Sequence, residues 1–161
     1  MKTAMVLMLL AFSHAILSGE AAIDILDLPV KKYKVGFADL WVGRNVDKRP
    51  VTLKGKDIED YLFAHASSSI TYDIPQGVSR FSAWGIRTRG DENVVGSWFY
   101  VVKVDGEEAF RSKPLVEYET YEIEIDVYIP SGSKEIELII NDMTNNFADH
   151  SIWALPRFLV E

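Results

Sequence analysis

The chain has 161 residues and a formal net charge of −7, with 12% aromatic residues, four tryptophans and no cysteine. Because its acids are spread along the chain and Lys and Arg form no large cluster, nucleic acid and anionic membrane surfaces are poor partners. The lack of cysteine excludes disulfides, a thiol nucleophile and cysteine-bound zinc, so packing must stabilise the fold.

The first residues have the features of a secretory signal peptide. Lys2 precedes an unbroken apolar run over residues 4–12. This run is too short to span a bilayer, which needs about 20 apolar residues. Cleavage after Ala15 or after Ala21 fits the small-residue rule, and the second position leaves a short lead into the first apolar strand. We therefore predict a signal peptide over residues 1–21 and a secreted, extracellular protein with no membrane span.

The remaining residues, 22–161, are expected to form one domain, because no linker or repeat divides them. Two runs alternate apolar and polar residues most clearly, at 121–129 and 134–140, and the turn signal between them predicts a hairpin. Residues 56–61 fit a helical turn, although their acids could equally line a loop. Further strands are predicted at 23–28, 33–42, 70–74, 80–86, 97–104 and 152–160, the last broken by Pro156. Many short strands at this spacing predict an all-β fold, an antiparallel β-sandwich.

Candidate catalytic groups are few. A Ser/His/Asp set can be drawn from Ser67–Ser69, His65 or His150, and Asp149, but no serine lies in a Gly-x-Ser-x-Gly elbow. Nothing in the spacing of the acids brings two carboxylates into one cleft, as glycoside cleavage requires. Two distant histidines without cysteine do not have zinc-ligand spacing. The prediction is therefore that the protein is not an enzyme.

Calcium and sugar remain as candidate ligands. The loops at 89–93 and 142–146 offer the hard oxygens that calcium prefers, although solvated turns have the same composition. Tryptophans suit sugar, since a pyranose presents an apolar C–H face to an aromatic ring and hydroxyls to polar groups. Trp98 and, in part, Trp153 lie in alternating strands and are expected in the core, whereas two others lie near strand ends, Trp41 and Trp84.

Two blocks carry a family resemblance. The first is His-Ala-x-Ser-x-Ile-x-Tyr over residues 65–72, and the second is Asp-His-x-x-Trp over 149–153. Shorter matches lie in order around them, at 33–36, 50–55, 80–86 and 97–106. Together they cover nearly the whole mature chain and resemble the NPCBM domain, also classed as carbohydrate-binding module family 51.

The resemblance implies a galactose-binding-like β-sandwich of jelly-roll type. It also implies a non-catalytic, lectin-like role with galactose-type and blood-group-like glycans, and sometimes a structural calcium ion, although such modules usually accompany glycoside hydrolases. The chain departs from the family pattern at 60–64, at Arg87-Thr88 and at Leu155-Pro156. These departures affect the expected specificity and the calcium ligand expected after Gly85.

The resemblance and the residue types together define a predicted sugar site. Asp149 can orient His150 or cap loop amides, and the two blocks either brace the loops or contact sugar directly. The alternative is an extracellular structural or protein-interaction module of the same fold whose sugar site has decayed. The predicted carbohydrate-binding residues are His65, Trp84, Arg87, Asp149, His150 and Trp153.

Overall fold

The computed structural model describes residues 21–46, 48–87, 96–115, 122–143 and 150–160. Strands dominate these ranges, joined by one short 3-10 turn at Ile25–Asp27 that the Asp24 side chain caps. The strands are β1 Ala21–Asp24, β2 Lys32–Lys34, β3 Trp41–Val42, β4 Val51–Leu53, β5 Lys56–Ile58, β6 Tyr61–Phe63, β7 Ser68–Asp73, β8 Val78–Arg87, β9 Trp98–Val104, β10 Glu107–Arg111, β11 Glu122–Tyr128, β12 Glu135–Asp142 and β13 Ser151–Val160.

Two antiparallel sheets form a sandwich. One sheet has the order β11-β8-β13-β6-β3, and β1 pairs with the second half of β13. The other has the order β10-β9-β12-β7-β2, and β4 pairs with β5 in a separate small hairpin. The prediction of an all-β, antiparallel β-sandwich is confirmed.

The predicted hairpin between 121–129 and 134–140 is wrong. β11 pairs with β8 in the first sheet, whereas β12 pairs with β7 and β9 in the second. The turn between them carries the chain across the sandwich from one sheet to the other, so the two strands do not pair. The predicted helical turn at 56–61 is also wrong, because β5 and the start of β6 occupy it.

The main core lies between the sheets, where alternate side chains of both inner faces meet. Its largest fully buried side chains include Trp98, Tyr100, Trp153, Phe81 and Phe158. Burial of an apolar side chain of this size stabilises the fold by about 1.5–3 kcal/mol. Without a disulfide, this packing is the main source of stability available to the chain.

A second apolar cluster covers the outer face of the six-stranded sheet. Phe63, Ile86 and Ile152 point outward from three neighbouring strands, and the β4–β5 hairpin places Val51 and Leu53 over them. One outer face of the sandwich is therefore buried beneath its own hairpin, and this layer includes Trp41 and Trp84 as partly buried members.

Strand β13 continues through Pro156 because a bulge accommodates the proline. Its register against β8 shifts between Ala154 and Arg157, and Leu155 has a φ of 48°. The Leu155 N–H leaves the ladder and donates to the Asp60 carbonyl oxygen at 2.8 Å. Proline lacks a donor, so a bulge is one of the few places that tolerate it in a central strand.

Candidate functional site

The two histidines of the predicted site lie side by side. In the β6–β13 ladder Phe63 is opposite Ile152, and the Ala64 N–H donates to the Ser151 carbonyl oxygen at 3.1 Å. One further step of the same register places His65 opposite His150. Their ring centroids are 5.6 Å apart, so two blocks that are 85 positions apart in sequence meet at one end of the sandwich.

Other aromatic rings extend this pair in both directions. Phe37 contacts the edge of His65, with centroids 5.5 Å apart, and Phe63 contacts His150 at 6.0 Å. Trp41 stacks on Phe63 at 5.6 Å. We call these five residues, Phe37, Trp41, Phe63, His65 and His150, the histidine cluster. Its accessible surface comes from Phe37, which is 60% exposed, and from the half-buried Trp41 and His150.

His65 is held as a neutral ring. Its Nδ1 lies 2.7 Å from the Ala66 carbonyl oxygen, and since a carbonyl can only accept, Nδ1 carries the proton. Burial lowers the pKa of His65, and the adjacent His150 adds to this effect, whereas the bond to Ala66 opposes it. Because only 4% of His65 is exposed, it braces the cluster rather than presenting a broad surface to ligand.

Gly36 positions the exposed ring. Its N–H donates to the His65 carbonyl oxygen at 3.1 Å, and a Cβ at this position would collide with the Ala66 carbonyl group. Only glycine permits so close an approach. The Gly36 backbone thereby holds Phe37 beside His65.

Arg87 lies at the same end of the sandwich but outside the histidine cluster. It is only 8% exposed, and its guanidinium donates to the carbonyl oxygens of Gly96 and Leu115. The same group lies 4.6 Å above the Trp98 ring. These contacts tie the end of β8 to the residues that flank β9, which is a bracing role.

The two predicted tryptophans also lie apart from the histidine cluster. Trp153 has no exposed surface and packs edge-on against Tyr100 and Phe81 in the main core, so a sugar cannot reach its ring. Trp84 is half-buried on the outer face, and the Lys54 ammonium covers its ring at 4.0 Å. Of the six predicted site residues, only His65 and His150 are brought together; Asp149 lies outside the described residues.

Phe37 is a site residue that the sequence does not predict. Phe37 directly follows the Tyr33–Gly36 match, so its position was visible, but its contact with His65 depends on how a loop folds back. Trp41 was noted only as an easily exposed residue near a strand end. Its proximity to the histidines follows from the pairing of β3 with β6, which no local pattern reveals.

Asp149, the acid of the candidate Ser/His/Asp set, lies outside the described residues, so only its serine and histidine members can be placed. The Ser67 hydroxyl donates to the Asp142 carboxylate, and the rings next to His65 are Phe37 and His150. Within the described ranges, no three His, Asp or Glu side chains gather as metal ligands, and no helix is long and apolar enough to cross a membrane. The calcium loop predicted at 89–93 and most of that at 142–146 lie outside these ranges.

The two antiparallel sheets and the crossings between them form a β-sandwich. The NPCBM/NEW2 domain matches residues 22–159, and the chain belongs to this family. Comparison with curated proteins gave no match.

Solved structures share the fold at low sequence identity. One contains the second CBM51 module and INT domains of ZmpB from Clostridium perfringens with GlcNAc; it is 24% identical, with a TM-score of 0.76 over 87% of this chain and 32% of that one. Another is the CBM51 of a Clostridium perfringens GH95 protein in complex with methyl-galactose, 19% identical, with a TM-score of 0.73 over 86% of this chain and 99% of that one.

A third structure is that of the tandem CBM51 modules of a family 98 glycoside hydrolase from Streptococcus pneumoniae. It is 21% identical, with a TM-score of 0.73 over 87% of this chain and 47% of that one. The present chain therefore spans about a third of the ZmpB structure and nearly all of the GH95 module. The shared fold is that of a single module.

Proposed function

We propose that this chain is a secreted, non-catalytic, lectin-like protein that binds galactose-type glycans at the histidine cluster. The observation that carries the proposal is the meeting of His65 and His150 beside the exposed ring of Phe37. Similar modules have been solved with methyl-galactose and with GlcNAc, which supports sugar as the ligand class.

Each accessible group has a distinct role in this proposal. The Phe37 ring stacks on the C–H face of a pyranose, and the His150 imidazole exchanges hydrogen bonds with its hydroxyls. His65 keeps both groups in place. A shallow surface of this kind gives millimolar to micromolar affinity, which corresponds to about 4–8 kcal/mol.

The test is a glycan-array screen of the mature protein with calcium and again with a chelator. Binding to galactose-terminated glycans is expected, and its loss with chelator would add a structural calcium ion to the proposal. Phe37→Ala should weaken this binding markedly, whereas Met143→Ala, which also removes an exposed apolar side chain, should not. Both variants remove exposed surface, so both are expected to fold.

A second candidate is a protein-interaction module on the same fold. It is favoured by two exposed apolar side chains at the same end of the first sheet, Phe37 at 60% and Val42 at 56%. Silence on every glycan from a folded protein would overturn the sugar proposal and leave this alternative.

A further inference from the structure

A groove lies at the end of the sandwich opposite to the histidine cluster. β13 begins beside Arg87 of β8, near the histidine cluster, and ends beside Val78. At that far end two loops cross between the sheets next to each other. Residues 74–77 lead from β7 to β8, and residues 129–134 lead from β11 to β12.

Backbone hydrogen bonds fix both ends of this groove. The Ile129 N–H donates to the Ser79 carbonyl oxygen at 2.8 Å, where β11 leaves β8. The Ile74 N–H donates to the Lys134 carbonyl oxygen, also at 2.8 Å, where β7 meets β12. Between these two bonds the loops diverge around a groove of about 700 Å³. The groove is thus formed by the strand pairings themselves and does not require a partner to order it.

The lining of the groove combines apolar and neutral polar residues. It includes Val78 and Ile129, which are buried, and Tyr128, which is 70% exposed. Gln76, Ser131 and Ser133 add amide and hydroxyl side chains. Among the described residues, Lys134 is the one charged side chain in the lining, so the groove does not select for a strongly charged ligand.

We propose that this groove is a second ligand site, which takes a neutral pyranose. A pyranose matches both halves of the lining, since its C–H face packs on an aromatic ring and its hydroxyls exchange hydrogen bonds with amide and hydroxyl groups. A cationic ligand would find no carboxylate among these lining residues, and an anionic one would find only Lys134. The site is separate from the histidine cluster, and the two bind independently.

The experiment is an NMR titration of the ¹⁵N-labelled mature protein with methyl galactoside and, separately, with N-acetylglucosamine. Gly77 and Gly132 lie in the groove, and Gly36 lies beside the histidine cluster, so their amides report on the two sites separately. At least one of the two sugars is expected to produce saturable shifts at Gly77 and Gly132. Tyr128→Ala should weaken this binding about tenfold or more, and Tyr128→Phe should retain it.

The outcomes distinguish this inference from the proposed function. Shifts confined to Gly77 and Gly132 would support the groove and contradict the histidine cluster, whereas shifts confined to Gly36 would do the reverse. Glycerol is the control for unspecific polyol binding, because it has hydroxyls but no ring face. Equal shifts with glycerol, or full binding by a folded Tyr128→Ala variant, would overturn the inference.

Discussion

Gly85 is required by the packing of a single ring. A Cβ at this position would lie 2.5 Å from Cε2 and 2.7 Å from Cδ2 of Tyr100. The Tyr100 ring cannot easily move, because its hydroxyl lies 2.9 Å from the Ile86 carbonyl oxygen and 3.0 Å from that of Ile152 and can donate to one of them. Trp153 packs edge-on against the same ring.

Gly85→Ala should therefore destabilise the fold by about 1–3 kcal/mol, the usual cost of overpacking a core. The urea midpoint should fall while the slope of the transition stays unchanged. Ser82→Ala, on the same strand and only half-buried, should leave the midpoint nearly unchanged. An unaltered midpoint in Gly85→Ala would show that the tyrosine ring moves aside.

The buried neutral state of His65 gives stability a defined dependence on pH. Burial lowers the pKa of His65 below its ordinary value of 6.5, so the unfolded chain takes up a proton at a higher pH than the folded chain does. The contribution is present above the unfolded pKa and is lost as the pH falls through the folded pKa.

We expect the unfolding free energy of the wild type to decrease between about pH 7 and pH 5, and His65→Gln to remove part of this slope. Urea titrations at a series of pH values measure it. His150→Gln is the control, since it changes the neighbouring ring but keeps the buried His65 ring, so most of the slope should remain. Identical slopes in the wild type and His65→Gln would contradict the assignment.

At the scale of elements, alternation predicted strands but not their partners. The runs at 121–129 and 134–140 do form β11 and β12, yet the nearest strand in sequence is not the partner of either. Ile123 to Ile129 and Ile136 to Ile140 present one apolar face each, which is what a hairpin and a pair of facing sheets both require. Only the arrangement of the whole sandwich distinguishes the two.

The same limit applies to the site. Alternation placed Trp153 on one face of its strand, but whether that face is the core or the surface depends on the neighbouring sheet. The matched blocks around His65 and His150 did identify one end of the molecule, because two histidines in facing strands meet whenever the strands pair in this register. Trp84 lies in a block that resembles the family and Arg87 lies where the chain departs from it, whereas the β4–β5 hairpin and the residues beside β9 determine their surroundings.

Engineered disulfides test the strand topology directly, since the chain has no native cysteine. Thr71 is opposite Glu137 in the β7–β12 ladder, so Thr71→Cys with Glu137→Cys should oxidise readily. In the discarded hairpin Asp126 would be opposite Glu137, but these residues lie on different sheets, which pack about 10 Å apart. Asp126→Cys with Glu137→Cys should stay reduced under the same conditions. Mass spectrometry after mild oxidation measures both, and crosslinking of the second pair would contradict the topology.

At the scale of the whole molecule, the two proposed sites lie at opposite ends of one rigid sandwich. A single chain can then bridge two surfaces that each carry many sugars, and the protein does not need to oligomerise. Two sites on one end would favour binding to a single patch, whereas sites at opposite ends favour crosslinking between separate particles. If both proposed sites bind sugar, this geometry allows one chain to bridge two particles.

This geometry predicts that the monomer crosslinks beads that carry many galactose and N-acetylglucosamine groups and increases their light scattering. Phe37→Ala and Tyr128→Ala should each abolish crosslinking, because either leaves one functional end, while each variant still binds to the beads. Free methyl galactoside should reverse the scattering by competition, and sedimentation should show that the protein itself remains monomeric. If crosslinking requires a dimer, or persists in either variant, the bridge is not made within one chain. If each single variant loses crosslinking but still binds to the beads, the crosslinking by the monomer must come from two separate sites.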